Sequence, residues 1–213
     1  MTDLERKFLK ASEKNELDIV KEYIKQKVNI NIKGSYDDTA LIESSRNGYL
    51  KLSKYLIEQG ADLNAKNNSG QTALMNCYRR NIIKSVKLLL DNGADVSIKD
   101  NDGNTVLMIA ANRMHLEVMK LLLKNGADLN VKNNDGNTVL KISSNFGNTK
   151  VIKFLIPLIY DYNQFEYIYN DLAIRQKHIL FEHFMNNMEL LEQVNPRIMK
   201  NFIPDINKYK NNL

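Results

Sequence analysis

The five-residue block Gly70-Gln71-Thr72-Ala73-Leu74 occurs twice more, each time 33 residues further along the chain, as Gly103-Asn104-Thr105-Val106-Leu107 and Gly136-Asn137-Thr138-Val139-Leu140. A second block, Gly-Ala-Asp followed by an apolar residue and Asn or Ser, keeps the same step at residues 60–64, 93–97 and 126–130. Two independent blocks with one period predict a stack of repeated units. A period of 33 is typical of a unit made of a helix pair and a turn.

These blocks are similar to the Thr-Pro-Leu-His-x-Ala helix start and the Gly-Ala-Asp-x-Asn turn of ankyrin repeats, so the chain resembles the ankyrin-repeat family. The resemblance implies an all-α solenoid in which each repeat supplies two helices and a β-turn finger. Extending the period in both directions gives five repeats, at about 1–33, 34–66, 67–99, 100–132 and 133–163. The first has a decayed turn block at residues 27–31, which is typical of an amino-terminal capping repeat.

Two positions of the unit predict local geometry. A threonine hydroxyl can cap the first helix of four repeats, at Thr39, Thr72, Thr105 and Thr138. Between its two helices an ankyrin repeat favours glycine, which Gly48 and Gly147 supply and for which Asn81 is an acceptable substitute. Met114 occupies this position in the fourth repeat. Because a side chain in the left-handed conformation costs about 1 kcal/mol or more, we expect this repeat to turn differently there.

The repeat pattern fades after Pro157, and residues 164–213 no longer match the family. Apolar residues between 170 and 194 are spaced as in amphipathic helices, so we predict a carboxy-terminal helical cap on the last repeat. The alternative is a docking segment for a larger assembly. Deleting residues 164–213 separates the two interpretations, since an insoluble product favours the cap and a soluble array without its partner favours docking.

Composition and charge place broad limits on the class of protein. The chain of 213 residues has 30 Lys and Arg, 25 Asp and Glu and a net charge of +5, which by itself selects no partner. The single cysteine excludes an internal disulfide. The amino terminus lacks the apolar core of a secretion signal, and no apolar run is long enough to span a bilayer. We expect a cytoplasmic monomer without a membrane span, and export by a route without a cleaved signal stays open.

No motif of the sequence points to catalysis. A nucleophile elbow, a phosphate-binding glycine loop and a His-Glu-x-x-His pattern are all missing from the sequence. Cys77 falls at the small, buried position of the first helix, which predicts an inert thiol. His115 stands at the start of a second helix, where a structural role is expected. We therefore predict a non-enzymatic protein with no cofactor and no metal.

The resemblance implies that partners bind the concave face, the surface lined by the finger tips and the ends of the first helices. One lysine per repeat predicts a lysine column, made of Lys33, Lys66, Lys99 and Lys132. A second, partly basic row follows the ends of the first helices, at Lys14, Arg46, Arg79, Arg80 and Arg113. The predicted partner-binding residues are Lys66, Asn68, Ser69, Gln71, Tyr78, Arg79, Arg80, Lys99, Asn101, Asn104, Asn112, Arg113 and Lys132.

The two rows favour a protein scaffold that binds an acidic segment of a partner protein, with Tyr78 and Arg79 as leading anchors because Tyr and Arg dominate interface energetics. Three alternatives stay open. The first is that the lysines are ordinary solvent-facing residues with no role in binding. The second is that the rows bind nucleic acid or another anionic surface, with an affinity that falls steeply as salt rises. The third is a host-directed effector or adaptor that uses its carboxy-terminal helices.

Overall fold

The computed structural model describes residues 1–77, 82–145, 148–155 and 158. Within these ranges the chain forms nine α-helices and a short 3₁₀ turn at Ser35–Asp37, and no β-strand. The helices are α1 (Asp3–Glu13), α2 (Leu17–Lys25), α3 (Ala40–Asn47), α4 (Leu50–Glu58), α5 (Ile82–Asp91), α6 (Val106–Asn112), α7 (Leu116–Lys124), α8 (Val139–Asn145) and α9 (Thr149–Leu155). The predicted all-α repeat solenoid is confirmed, while the predicted cap at 164–213 lies outside the described residues.

The helices form two layers. The first helices of the repeats, α1, α3, α6 and α8, form the inner layer, where α1 packs on α3 and α6 on α8. The second helices form the outer layer, where α5 packs on both α4 and α7. In the third repeat, residues 73–76 form a turn in the register of an inner helix, and residues 78–81 lie outside the described part.

The core is a ribbon that runs through all five repeats. The leucine of the Gly-x-Thr-x-Leu block is buried in each of its copies and in the second repeat, at Leu41, Leu74, Leu107 and Leu140. Each outer helix beyond the first repeat also buries one side, through Leu52 and Leu56, Val86 and Leu89, Val118 and Leu122, and Val151 and Leu155. Every repeat therefore buries its apolar side chains against its neighbours rather than in a centre of its own.

Three of the four predicted threonine caps begin inner helices, while the residues after Thr72 form a turn. The Oγ1 atoms of Thr39, Thr105 and Thr138 accept the backbone N–H three residues further on, at 3.3, 3.4 and 3.4 Å. Helix α1 differs, because it begins at Asp3, four residues before the position that the 33-residue register gives. Thr2 and Glu5 form a capping box there, with N–H···O distances of 3.2 and 2.7 Å. The first repeat thus has an extra helical turn where the others have a finger.

The expectation that the fourth repeat turns differently at Met114 is wrong. Met114 has φ +60°, as Asn15 does, and Gly48 has φ +71° at the same position of the unit. One backbone hydrogen bond closes each of these turns, from Glu16 to Ala11, from Tyr49 to Ser44 and from His115 to Ala110, all at 2.9 Å. The helices that flank the turn are packed on their neighbours, so they hold the left-handed residue in place whatever its side chain.

Replacing Met114 by glycine is expected to raise the free energy of unfolding by about 1 kcal/mol, because glycine adopts positive φ without a clash of its Cβ. The Met114 side chain is 63% exposed, so little packing is lost. Denaturant unfolding followed by circular dichroism measures the change. Met114→Ala is the control, since it removes the exposed side chain but keeps the Cβ, and it should leave stability nearly unchanged. Equal gains in both variants would contradict this account.

The fingers, at residues 34–38, 67–71, 100–104 and 133–137, stack into a ladder. The backbone N–H of Asn68, Asn101 and Asn134 donates to a carbonyl of the preceding finger, on Tyr36, Ser69 and Asp102 respectively, at 2.9, 3.1 and 3.0 Å. This contact is so close that a Cβ on Gly103, which has φ +79°, would lie 2.7 Å from the backbone nitrogen of Asn134. Gly136 has φ +77°, and a Cβ there would have no atom of the described residues within 4 Å.

Gly103→Ala and Gly136→Ala form a matched pair. Both place a Cβ at positive φ, which costs about 1 kcal/mol, but only Gly103→Ala also drives a Cβ into the next finger. We expect Gly103→Ala to lower the free energy of unfolding by about 1–3 kcal/mol more than Gly136→Ala, the usual cost of overpacking. The same unfolding experiment decides the point, and equal losses would show that the ladder does not depend on this close contact.

Candidate functional site

The predicted lysine column is present as a chain of hydrogen bonds. The Nζ atoms of Lys33, Lys66 and Lys99 each donate to the backbone carbonyl of the next lysine in the column, at 2.7, 2.8 and 2.9 Å. Lys132, the last member, makes no such bond within the described residues. All four side chains are exposed. Because an ammonium group has three N–H donors, each bonded lysine keeps two of them for solvent or a partner.

Asparagines form a second column along the finger tips. Besides their backbone bonds, the Nδ2 atoms of Asn101 and Asn134 donate to the carbonyls of Asn68 and Asn101, at 2.8 and 2.9 Å. Asn104 accepts from Nδ2 of Asn133 through its Oδ1, at 2.9 Å. Residues predicted as partner contacts from their position therefore also tie one repeat to the next. Sequence reasoning missed this second role, because single-residue exposure does not reveal bonds between repeats.

Most of the predicted partner-binding residues that the structure describes are exposed. Along the fingers and the inner-helix ends, the exposed ones are Lys66, Asn68, Ser69, Lys99, Asn101, Asn112, Arg113 and Lys132. Gln71 and Asn104 are half-buried. The predictions at Tyr78, Arg79 and Arg80 fall outside the described residues.

The inner-helix row is less basic than the sequence indicates. The Arg46 side chain is only 17% exposed, and its guanidinium pairs with the carboxylates of Asp38 and Glu43 at 2.6 and 2.8 Å. Its Nε also donates to Oδ1 of Asn76 in the next repeat, at 3.2 Å. Arg46 is therefore a neutralised tie between the second and third repeats. Glu43 and Arg46 are three residues apart on one helix, a spacing from which their ion pair could have been predicted.

A cavity of about 160 Å³ lies beside this cluster, between α1 and the finger of the second repeat. Its wall includes Leu9, Glu13, Tyr36, Asp38, Glu43 and Arg46. Tyr36 is 74% exposed and has φ +59°, and Asp37 beside it has φ +60°. Positive φ at two consecutive residues with side chains is an uncommon backbone conformation. Thr39 and Arg46 of this cavity belong to the sequence-based predictions, whereas Glu13, Tyr36 and Glu43 do not.

Cys77 and His115, two described residues of types often used in catalysis, have pKa values shifted by their surroundings. Cys77 is buried, as predicted, and burial raises the pKa of its thiol to about 12. Burial, together with the charge of Arg113, lowers the pKa of His115. Among the residues that the structure describes, no group of three or more His, Cys, Asp or Glu side chains could hold a metal ion. The helices of this part of the chain are all too short or too polar to cross a membrane.

Stacked helix pairs with a ladder of β-turn fingers define a repeat protein of the solenoid class. The family model described as ankyrin repeats (3 copies) matches residues 8–100 and 85–166. The chain belongs to the ankyrin-repeat family, whose members are in general protein–protein interaction modules. A comparison with curated proteins finds no match.

Variants of Lys99 and Lys132 measure how much the hydrogen bonds of the lysine column contribute to the free energy of unfolding. Lys99→Met removes the bond to the Lys132 carbonyl and should lower the free energy of unfolding by about 0.5 kcal/mol, the lower end for one hydrogen bond because this one is exposed. Lys132→Met removes the same charge without such a bond and should leave stability unchanged. Denaturant midpoints of the two variants test this, and a larger loss for Lys132→Met would contradict it.

Proposed function

We propose that the chain is a non-enzymatic scaffold, a cytoplasmic monomer, that binds a partner protein on the concave face. The observation that carries the proposal is the lysine column, in which exposed ammonium groups are held in a row by bonds to the backbone. A surface fixed in this way loses little conformational entropy when a partner binds, so its contacts contribute more of their energy to affinity.

An acidic, extended segment suits the lysine column. Packed helices lie about 8–10 Å apart, which sets the distance between successive repeats. An extended chain in the polyproline II conformation rises about 3.1 Å per residue and has about three residues per turn, so every third side chain lies on the same face. Carboxylates three residues apart in the partner would then meet successive lysines. Asp102 and Asp135 are exposed on the fingers beside the column and weaken its field. Charge therefore contributes mainly to the association rate and to the choice of partner, while shape and hydrogen bonds supply the affinity.

The exposed asparagines of the fingers supply those hydrogen bonds. Each side-chain amide offers both donors and acceptors, and the bonds within the ladder use only part of them. Asn68 and Asn101, which follow Lys66 and Lys99 by two residues, are expected to bind the partner's backbone. Tyr78 and Arg79 stay the leading anchors of this proposal, as aromatic and guanidinium groups dominate interface energetics.

Affinity capture from the lysate of the source cell, followed by mass spectrometry, tests the concave face. The wild type is compared with a variant that carries glutamate at Lys66, Lys99 and Lys132. A matched control carries glutamate at Lys51, Lys87 and Lys124, three exposed lysines of the outer helices, so that both variants have the same net charge. Circular dichroism first checks that both fold.

We expect one protein to be retained by the wild type and by the outer-helix control and lost by the concave-face variant. Its affinity should fall only moderately as salt rises from 50 to 200 mM. A loss of several orders of magnitude over that range would instead indicate nucleic acid. Equal retention by both variants would contradict the proposed surface and direct attention to residues 164–213.

A further inference from the structure

The cavity between α1 and the second finger marks a break in the bonding pattern of the repeats. Between the second and third repeats, Nε of Arg46 bridges to Asn76 at 3.2 Å. One repeat earlier, Glu13 takes the place of Arg46 and Glu43 takes the place of Asn76, each 33 residues before its counterpart. Two carboxylates cannot bridge to each other. Within the described residues, the step between the first and second repeats therefore lacks the cation that closes the next step.

The charges around the cavity are out of balance. Among the described residues that line it, the carboxylates of Glu13, Asp38 and Glu43 stand against one guanidinium, that of Arg46. Asp38 and Glu43 pair with Arg46 through one oxygen each, and the other oxygens accept from Nδ2 of Asn67 and Asn47 at 2.9 and 2.6 Å. Each carboxylate has about four lone-pair sites and can accept further donors. The exposed Glu13 carboxylate forms no hydrogen bond or ion pair with any described residue.

An aromatic residue, Tyr36, is among those that line the same cavity. Tyr36 is 74% exposed, whereas the corresponding residues of the other fingers are the small or acidic Ser69, Asp102 and Asp135. Its backbone carbonyl accepts the bond that begins the finger ladder, but any residue could supply that group. Neither packing nor the ladder accounts for a large exposed ring at φ +59°. A ring beside carboxylates is well suited to a guanidinium or ammonium group, which is attracted to the ring face.

We propose that this cavity binds a basic side chain, arginine or lysine, of the protein partner. The cation would bridge Glu13 and Glu43 as Arg46 bridges to Asn76, with Tyr36 against it. The volume of about 160 Å³ corresponds to roughly five water molecules at about 30 Å³ each, enough for the head of either side chain. Arginine suits the site best, because its planar fork can contact two carboxylates and stack on a ring.

This inference rests on the proposed function, since the partner on the concave face supplies the cation. It also predicts the direction in which the partner segment runs along the array. The acidic cavity lies at the amino-terminal end of the array and the lysine column continues to Lys132 in the fourth repeat. A partner segment with a basic residue at one end and acidic residues beyond it would match both features.

The stability of the Glu13→Arg variant tests the missing cation without any partner. The introduced guanidinium should bridge to Glu43 and fill the cavity, and we expect the melting temperature to rise by about 2 °C or more. An arginine at the carboxy-terminal end of α1 also interacts favourably with the helix dipole. The same substitution in a Glu43→Gln background separates the two effects, because at least half of the rise should disappear there. A fall in melting temperature, or an equal rise in both backgrounds, overturns the inference.

Binding is tested with peptides selected from a random phage-displayed library on the full chain. Each selected arginine is replaced by citrulline, its neutral counterpart, and each selected lysine by norleucine, and affinities are measured by fluorescence polarisation. At one basic position we expect a loss of about tenfold or more on the wild type, the size of a charge-assisted hydrogen bond. On Glu13→Arg the same replacement should cost less than twofold. Asp135→Arg makes the same charge change at the far end of the finger ladder and should behave as the wild type.

The outcomes separate this inference from the proposed function. Peptides that bind the concave face without a basic anchor overturn the inference and leave the scaffold in place. An equal citrulline effect on Glu13→Arg and the wild type likewise overturns it, because the cation would then bind elsewhere. Two other outcomes would contradict the proposed binding on the concave face and the inference with it. Either no peptide is selected, or every selected peptide binds the variant with glutamate at Lys66, Lys99 and Lys132 as tightly as the wild type.

Discussion

No single repeat of this chain can bury its own apolar face, and the rest of the structure depends on that constraint. Leu41, Leu74, Leu107 and Leu140 are buried because a neighbouring repeat covers them. Stacking two identical units in register also places identical polar groups at the same offset, so one favourable bond recurs at every step. The Nζ–carbonyl bonds of the lysine column and the N–H–carbonyl bonds of the finger ladder are both of this kind.

The same periodicity gives the departures from it a meaning. Met114 departs from glycine without altering its turn, since the flanking helices and the closing hydrogen bond from His115 hold the backbone. Glu13 departs from the arginine found one repeat later and leaves a cavity that nothing in the described chain closes with a cation. A substitution that leaves the backbone conformation unchanged, as Met114 does, says little about function. One that leaves a polar group without its counterpart points to a group supplied from outside.

Structure and binding share the same side chains on this surface. Lys66 and Lys99 each use one donor to join repeats and present the others outward, and the finger asparagines divide their amide groups in the same way. Such sharing restrains the side chains before any partner arrives, which lowers the entropy lost on binding. It also means that a variant of these residues has to be checked for stability before a loss of binding is interpreted.

The sequence alone determined the fold class, the register of the repeats, the threonine caps and the existence of a lysine column, because all of these follow from residue types recurring at a fixed step. It also placed Cys77 in the core. Tertiary structure decided what the side chains do once the repeats stack. Arg46 is neutralised by Asp38 and Glu43, α1 gains a turn in place of a finger, and Tyr36 lies beside three carboxylates. These features depend on distances between neighbouring repeats, which a one-dimensional pattern does not contain.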